Sequence, residues 1–455
     1  MGVMLFRSTN RQSPPVNLRE ALLQGQAPDR GLYMPVEFPQ LSRQDIAAFA
    51  DLPYAEIAFR VLRPYVEGVL APRELEAMCR DAYDFELPLE PVAGMERVYC
   101  LRLDCGPTAS FKDFAARMMA RLFGRFLRET GRQVTILTAT SGDTGSAVAH
   151  AFHNVPGVRV LVLFPFAEVS PRQRKLMTTL SGNVRTIAVD GKFDDCQAMV
   201  KRAFADPVLR HIPLSSANSI NIGRLLPQSV YYFFAATRVA APGEPVVFSV
   251  PSGNFGDMMG AVIARLMGLP VKKILAPVND NDAFPRFLAT GRYQKIVPSR
   301  NSLSNAMNVG HPSNLARLVD VYGGWMDETG VLHREPDLTA MRRDVFSSSV
   351  SDERTRAALR HAWTQHRLLV EPHGAVAWQG FLDWLAAEPR NGAPVIVLET
   401  AHPAKFPEEI ENNLGFTPDV PPALAEAERR REDYDRMPPD YEQFVEYLLG
   451  HYGRT

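Results

Sequence analysis

Six short apolar runs recur along this 455-residue chain, each about the length of a buried strand. They are VTILTA (134–139), VRVLVLF (158–164), VRTIAV (184–189), VVFSV (246–250), KKILAPV (272–278) and APVIVLET (393–400). Stretches with apolar residues at helical spacing lie between them, such as DDCQAMVKRAFAD and MMGAVIARLMG. A strand with no polar face must be covered on both sides, and parallel strands joined by crossover helices supply that cover. The pattern predicts an α/β protein with mostly parallel sheets. The first ~95 residues differ: PYAEIAFRVLRPYV and PRELEAMCRDAYDF read as helices, with no strong strand before RVYCLRL. They predict a helical N-terminal domain. From about 418 the chain is rich in Pro and charge and reads as an extension wrapping the body, with local disorder as the other option.

Composition excludes several classes. Hydrophobic residues make up 46% and charged residues 22%, which is globular and argues against coiled coils and collagen-like repeats. No run approaches the ~18 apolar residues of a membrane span, and the first residues have too short an apolar core for a secretory signal. Lys and Arg number 50 against 51 Asp and Glu, so neither nucleic acid nor an anionic membrane is the expected partner. Four cysteines without a CxxC make no disulfide scaffold and no metal site is expected; a reduced, cytoplasmic protein is the simplest expectation.

Four segments carry candidate chemistry. In CGPTASFKDF (105–114), Lys112 opens a helix after a Gly-Pro turn. It reads either as a surface lysine or as an amine held in an apolar pocket, where it would lose charge and could form a Schiff base. In TATSGDTGSAVAHAF (138–152), a hydroxyl-rich turn joins a strand to a helix, either as an anion site or as plain capping by Ser141 or Asp143. In VVFSVPSGNFGD (246–257), Gly253 and Gly256 stand where backbone amides cradle a phosphate, though neither a dinucleotide fingerprint nor a P-loop is present. In VIVLETAHPAKFP (395–407), Thr400 ends a strand, where α/β proteins place ligand contacts, and Lys405 reads as a solvated lysine.

Together with APDRGLYMP (27–35), FDDCQAMVK (193–201) and NSINIGRLLPQ (218–228), these segments resemble the threonine synthase family, in its longer yeast- and enterobacterial-type branch. The matching strings run from near the N-terminus to about residue 416, roughly nine-tenths of the chain. The resemblance implies a fold-type-II enzyme dependent on pyridoxal phosphate and similar to tryptophan synthase β, with two open, mostly parallel, twisted sheets and flanking helices. It implies a division into 1–95, 96–225 (the smaller α/β domain), 226–417 (the large one) and 418–455. Lys112 would hold the cofactor as a Schiff base and move protons. Gly253, Asn254, Phe255 and Asp257 would surround its phosphate, and Thr400 would stand by its ring nitrogen. Ser141, Gly142, Asp143 and Thr144 would receive the substrate's α-carboxylate. The family reaction turns O-phospho-L-homoserine and water into L-threonine and phosphate. Candidates for the substrate phosphate are Lys175, with Arg172 and Arg174 beside it, Arg224 and Asn218. His373 is given no role. A small-molecule substrate and a monomer or weak homodimer are expected.

The chain departs from the family pattern at Cys105, Ala109-Ser110, Asn308 and the run Glu371-Pro372-His373-Gly374-Ala375. Cys105 is expected to be buried, packing near the cofactor. The departures keep open a phospholyase that releases 2-oxobutyrate, and more remotely a non-catalytic binding protein.

Overall fold

The computed structural model describes residues 3–453. A six-stranded sheet runs Val345–Phe346, Val271–Leu275, Val246–Ser249, Val395–Glu399, Val98–Arg102, Leu89–Pro91. Its neighbours are parallel except for the last pair. A five-stranded sheet, parallel throughout, runs Asp435–Met437, Val184–Val189, Val158–Pro165, Val134–Ala139, Leu214–Ser215. Every residue of Val134–Ala139 and of Val395–Glu399 is buried, as continuous apolar runs demand. Val134–Ala139 and Val184–Val189 coincide with the predicted strands, and the other four differ only at their ends.

Helices cover both faces. Lys112–Thr130 buries Phe114, Met118, Phe123 and Phe126 and ends at Gly131, whose left-handed backbone (φ 62°) stops it. Each such Phe removed from water contributes roughly 1.5–3 kcal/mol. The helix packs against Asp143–Phe152, which follows the strand Val134–Ala139.

Three features differ from expectation. The N-terminal segment has the helices Leu18–Gln24, Tyr54–Val66 and Pro72–Ala82, but it also holds a three-stranded antiparallel sheet, Val16–Asn17, Leu5–Ser8, Tyr33–Pro35. Strands of two to four residues are too short to show periodicity, and distant bonds hold them: Arg7 pairs with Asp320 at 2.8 Å. The linear division of the chain also does not follow the sheets, since Val98–Arg102 lies in the six-stranded sheet beside Val395–Glu399. Finally, the C-terminal stretch wraps the body as expected but does so with a strand and a helix of its own. Asp435–Met437 pairs with Val184–Val189, and the helix Tyr441–Tyr452 buries Phe444 and Leu448 against Cys196, Met199 and Val200. All four cysteines are unpaired thiols. No described helix is long and apolar enough to cross a membrane.

The C-terminal helix therefore belongs to the core of the five-stranded sheet. Phe444→Ala should cost about 3–5 kcal/mol locally. Hydrogen exchange should then quicken across Val184–Val189 while Val246–Ser249 keeps its protection; equal protection in both strands would contradict this packing.

Candidate active site

A cavity of about 120 Å3 lies beyond the carboxyl ends of strands from both sheets. Thr140 follows Val134–Ala139, Gly253 and Asn254 follow Val246–Ser249, and Thr400 follows Val395–Glu399. All four line the cavity.

Lys112 enters at the first turn of its helix. The preceding segment is clamped to the end of Val395–Glu399: Phe111 N–H donates to Thr400 O at 2.9 Å, and His402 N–H to Ala109 O at 3.1 Å. Asp113 accepts from Thr108 N and Oγ1, at 2.8 and 2.7 Å, and so closes the turn. The Lys112 amine lies 4.4 Å from the centre of the Phe111 ring and 3.8 Å from Asp143 Oδ2. Burial lowers its pKa to about 8, against the opposing pull of Asp143. The pocketed reading of this lysine is the one the structure adopts.

Asp143 begins its helix after the turn Thr140–Gly142. Thr140 Oγ1 accepts from the amides of Gly142 and Gly145 at 2.9 and 2.7 Å. The amides of Ser141, Asp143 and Thr144 donate to no described residue and remain open at a helix N-terminus. Asp143 Oδ1 accepts from Lys405 Nζ at 2.9 Å and from Gln173 Nε2 at 3.0 Å. Burial alone would raise this carboxyl, but the Lys405 and Lys112 ammoniums hold it well below the usual carboxylate range.

The amides of Gly253, Asn254, Phe255 and Gly256 likewise donate to no described residue, ahead of the helix Gly256–Leu266. Gly253 is needed for close approach: a Cβ there would come within 2.8 Å of Met307 Cα and 2.9 Å of Ala306 O. Asn254 holds the turn through Ser219 Oγ (2.5 Å) and Ser313 N (2.6 Å). Asp257 Oδ1 accepts from the hydroxyls of Tyr231 and Tyr232 at 2.5 and 2.6 Å, and burial pushes its carboxyl up to about 6.

Of the residues expected to hold the substrate phosphate, Arg224 and Asn218 line the cavity. Arg224 is buried, its Nη1 bound to Ala217 O at 2.6 Å and its Nε buried without a partner. Burial lowers its pKa to about 10. Asn218 Oδ1 is also buried and unpartnered. Lys175 does not reach the cavity: its ammonium donates to Glu428 O at 2.5 Å. Arg172 binds Glu428, and Arg174 binds Glu432. This basic run is the dock for the C-terminal stretch. Cys105 is exposed and absent from the cavity wall, contrary to expectation.

Four residues that sequence reading passed over join the site. Lys405 is fully buried rather than solvated. Gln173 joins Asp143 to Asn305. Ser219 holds the glycine turn, and its place in NSINIGRLLPQ was a usable signal. His373 lines the cavity and is fixed in one tautomer: Nδ1–H donates to Glu371 at 2.6 Å, so Nε2 accepts from Ala306 N–H at 3.1 Å.

The departing residues pack rather than face substrate. Glu371 caps its helix by accepting from the amides of His373 and Gly374. Gly374 leaves space for the Glu399 carboxyl, whose Oε1 takes the Glu371 amide at 2.8 Å. Burial, with the Glu371 charge, holds Glu399 well above the usual carboxylate range. The Asn308 side-chain oxygen accepts from Asn279 and Ser302 N, a task an Asp would also perform.

Known proteins match this architecture. Family models described as "Pyridoxal-phosphate dependent enzyme", "Threonine synthase N terminus" and "Threonine synthase, C-terminal" match residues 86–400, 5–83 and 374–448. The threonine synthase of Haemophilus influenzae is 42% identical over 438 residues, 95% of this chain and 97% of the relative. The crystal structure of pyridoxal-phosphate-bound threonine synthase from Brucella melitensis superposes with a TM-score of 0.90 at 34% identity, covering 99% and 100% of the two chains. The yeast threonine synthase structure gives a TM-score of 0.89 at 30% identity, covering 98% of each.

Gly374 is the tightest point of the packing behind the site. In Gly374→Ala the new methyl would overlap Glu399 Oε2. The melting temperature should fall by the equivalent of about 1–3 kcal/mol. Adding Glu399→Ala should recover part of that loss, and no recovery would mean that the strain lies elsewhere.

Proposed function

The chain belongs to the threonine synthase family, and from that premise we propose how its residues divide the work of turning O-phospho-L-homoserine and water into L-threonine and phosphate. Its cofactor is pyridoxal phosphate. The donor set fits that group: four open amides at Gly253–Gly256 suit its phosphate, the Lys112 amine suits its aldehyde, and the Thr400 hydroxyl suits its ring nitrogen. When bound, pyridoxal phosphate withdraws electrons from the substrate's α-carbon and makes its proton removable.

The chain's own residues do the rest. The open amides of Ser141, Asp143 and Thr144 bind the α-carboxylate. The Lys112 Nζ removes the proton at Cα, and it serves as both base and acid because burial brings its pKa to about 8. Arg224 holds the substrate phosphate, its buried Nε–H being otherwise unpartnered; Asn218 lines the cavity beside it, its Nδ2 donating to Ala139 O. Lys112 next removes a proton at Cβ as phosphate departs from Cγ; Cγ then takes up a proton, and water adds at Cβ, its hydroxyl staying on that carbon. His373, with its Nε2 already accepting from Ala306, is a wall that orients the 305–307 turn.

The observation that carries this reading is the buried Lys112 amine standing in one cavity with the open glycine turn. The departures at Glu371, Gly374 and Asn308 have packing roles, which favours threonine formation over elimination to 2-oxobutyrate. Incubation with O-phospho-L-homoserine should yield threonine and phosphate in equal amounts, and predominant 2-oxobutyrate would overturn the reading. Lys112→Ala should abolish turnover. Arg224→Gln should raise KM about 10- to 100-fold, the worth of a hydrogen bond to a charged group, whereas Lys175→Ala should leave KM near wild type.

A further inference from the structure

Lys405 and Asp143 form a buried pair whose partners lie 262 residues apart. Lys405 stands just beyond the end of Val395–Glu399, in the six-stranded sheet; Asp143 begins the helix after Val134–Ala139, in the five-stranded one. Both side chains are almost wholly shielded from water, and Gln173, also buried, holds the same carboxylate oxygen. The other oxygen of Asp143 faces the Lys112 amine at 3.8 Å. A buried ion pair is a weak source of stability compared with apolar residues of the same volume. Stability alone therefore gives no account of a charged lysine here.

We propose that Lys405 is a positioning residue: it anchors Asp143, and the anchored carboxylate sets where the Lys112 nitrogen sits and how much charge it feels. The proposal rests on the reading of Lys112 as the cofactor lysine. Asp143, Lys405, Arg224 and Asp257 are the charged groups that face Lys112, and His373 faces Asp143 from the opposite helix. Burial lowers the proton affinity of Lys112, Asp143 raises it, and Lys405 and Arg224 lower it further. Lys405, at 2.9 Å, is the nearer of the two ammoniums to the Asp143 carboxylate. Without Lys405, Asp143 keeps Lys112 as its nearest ammonium, and the Lys112 nitrogen holds its proton to higher pH. The Ser141–Thr144 turn, which contains Asp143, loses an anchor at the same time.

Two measurements on holoenzyme test this. Borohydride reduction with peptide mapping identifies the lysine that carries the cofactor. The pH midpoint of the bound cofactor's visible absorption then reports the proton on that lysine's nitrogen. Lys405→Gln should raise the midpoint by about one unit or more, the usual effect of a carboxylate freed to act at this range. Lys405→Arg, which restores a cation, should return it toward wild type. Asp143→Asn should move it down, because Asp257 is then the one carboxylate left to oppose Lys405 and Arg224. With the label on Lys112, a midpoint that stays or falls in Lys405→Gln, or stays in Asp143→Asn, reduces Lys405 to a structural tie and overturns the proposal. If Lys405→Gln does not fold, Asp143→Asn decides by the same criterion. A label on another lysine removes the cofactor assignment, and this proposal with it.

Discussion

Two ammoniums share one carboxylate in the interior of this protein. Asp143 binds Lys405 directly and faces Lys112 across 3.8 Å. Burying charge costs several kcal/mol per ion unless partners compensate, so each member depends on the others being in place. Lys112 is placed by the turn clamped to Thr400 and His402, and Lys405 by the segment that follows the same strand. Asp143 is placed by a turn that Thr140 shapes. The two sheets are in this sense aligned by electrostatics, and the cavity takes its form from that alignment.

The sheets were legible in sequence because their strands are continuous apolar runs bounded by turn residues. Lys112, the glycine turn and Thr400 were legible for a similar reason: each sits where a strand gives way to a helix or loop, and the resemblance to a family tied the three together. The short N-terminal strands and Asp435–Met437 were not legible, being two to four residues long and held by partners hundreds of positions away. Lys405 and Lys175 are the instructive pair. Both are lysines a few residues after a proline, in the first turns beyond it. One is wholly buried against Asp143, and the other donates to a backbone carbonyl at Glu428. Their neighbours in sequence do not decide the outcome, because the partner of each comes from far along the chain.

The departures from the family pattern teach the same lesson at closer range. Glu371 and Gly374 stood in the sequence as parts of one departing run that kept a phospholyase open. In the structure they form one packing unit, in which the missing side chain at Gly374 makes room for the carboxyl of Glu399. Read as a group they concern the support behind His373 and leave the cavity's donor set intact.

One strand of the five-stranded sheet, Asp435–Met437, is made long after the other four. Asp435–Met437 closes the edge beside Val184–Val189, and Tyr441–Tyr452 covers the apolar face of the helix Phe193–Ala205. A growing polypeptide, extended at ~5–20 residues per second, leaves that edge and face bare for many seconds after the rest of the sheet has been synthesised. The half of the enzyme that holds Asp143 is therefore finished only after residues 435–452 have emerged.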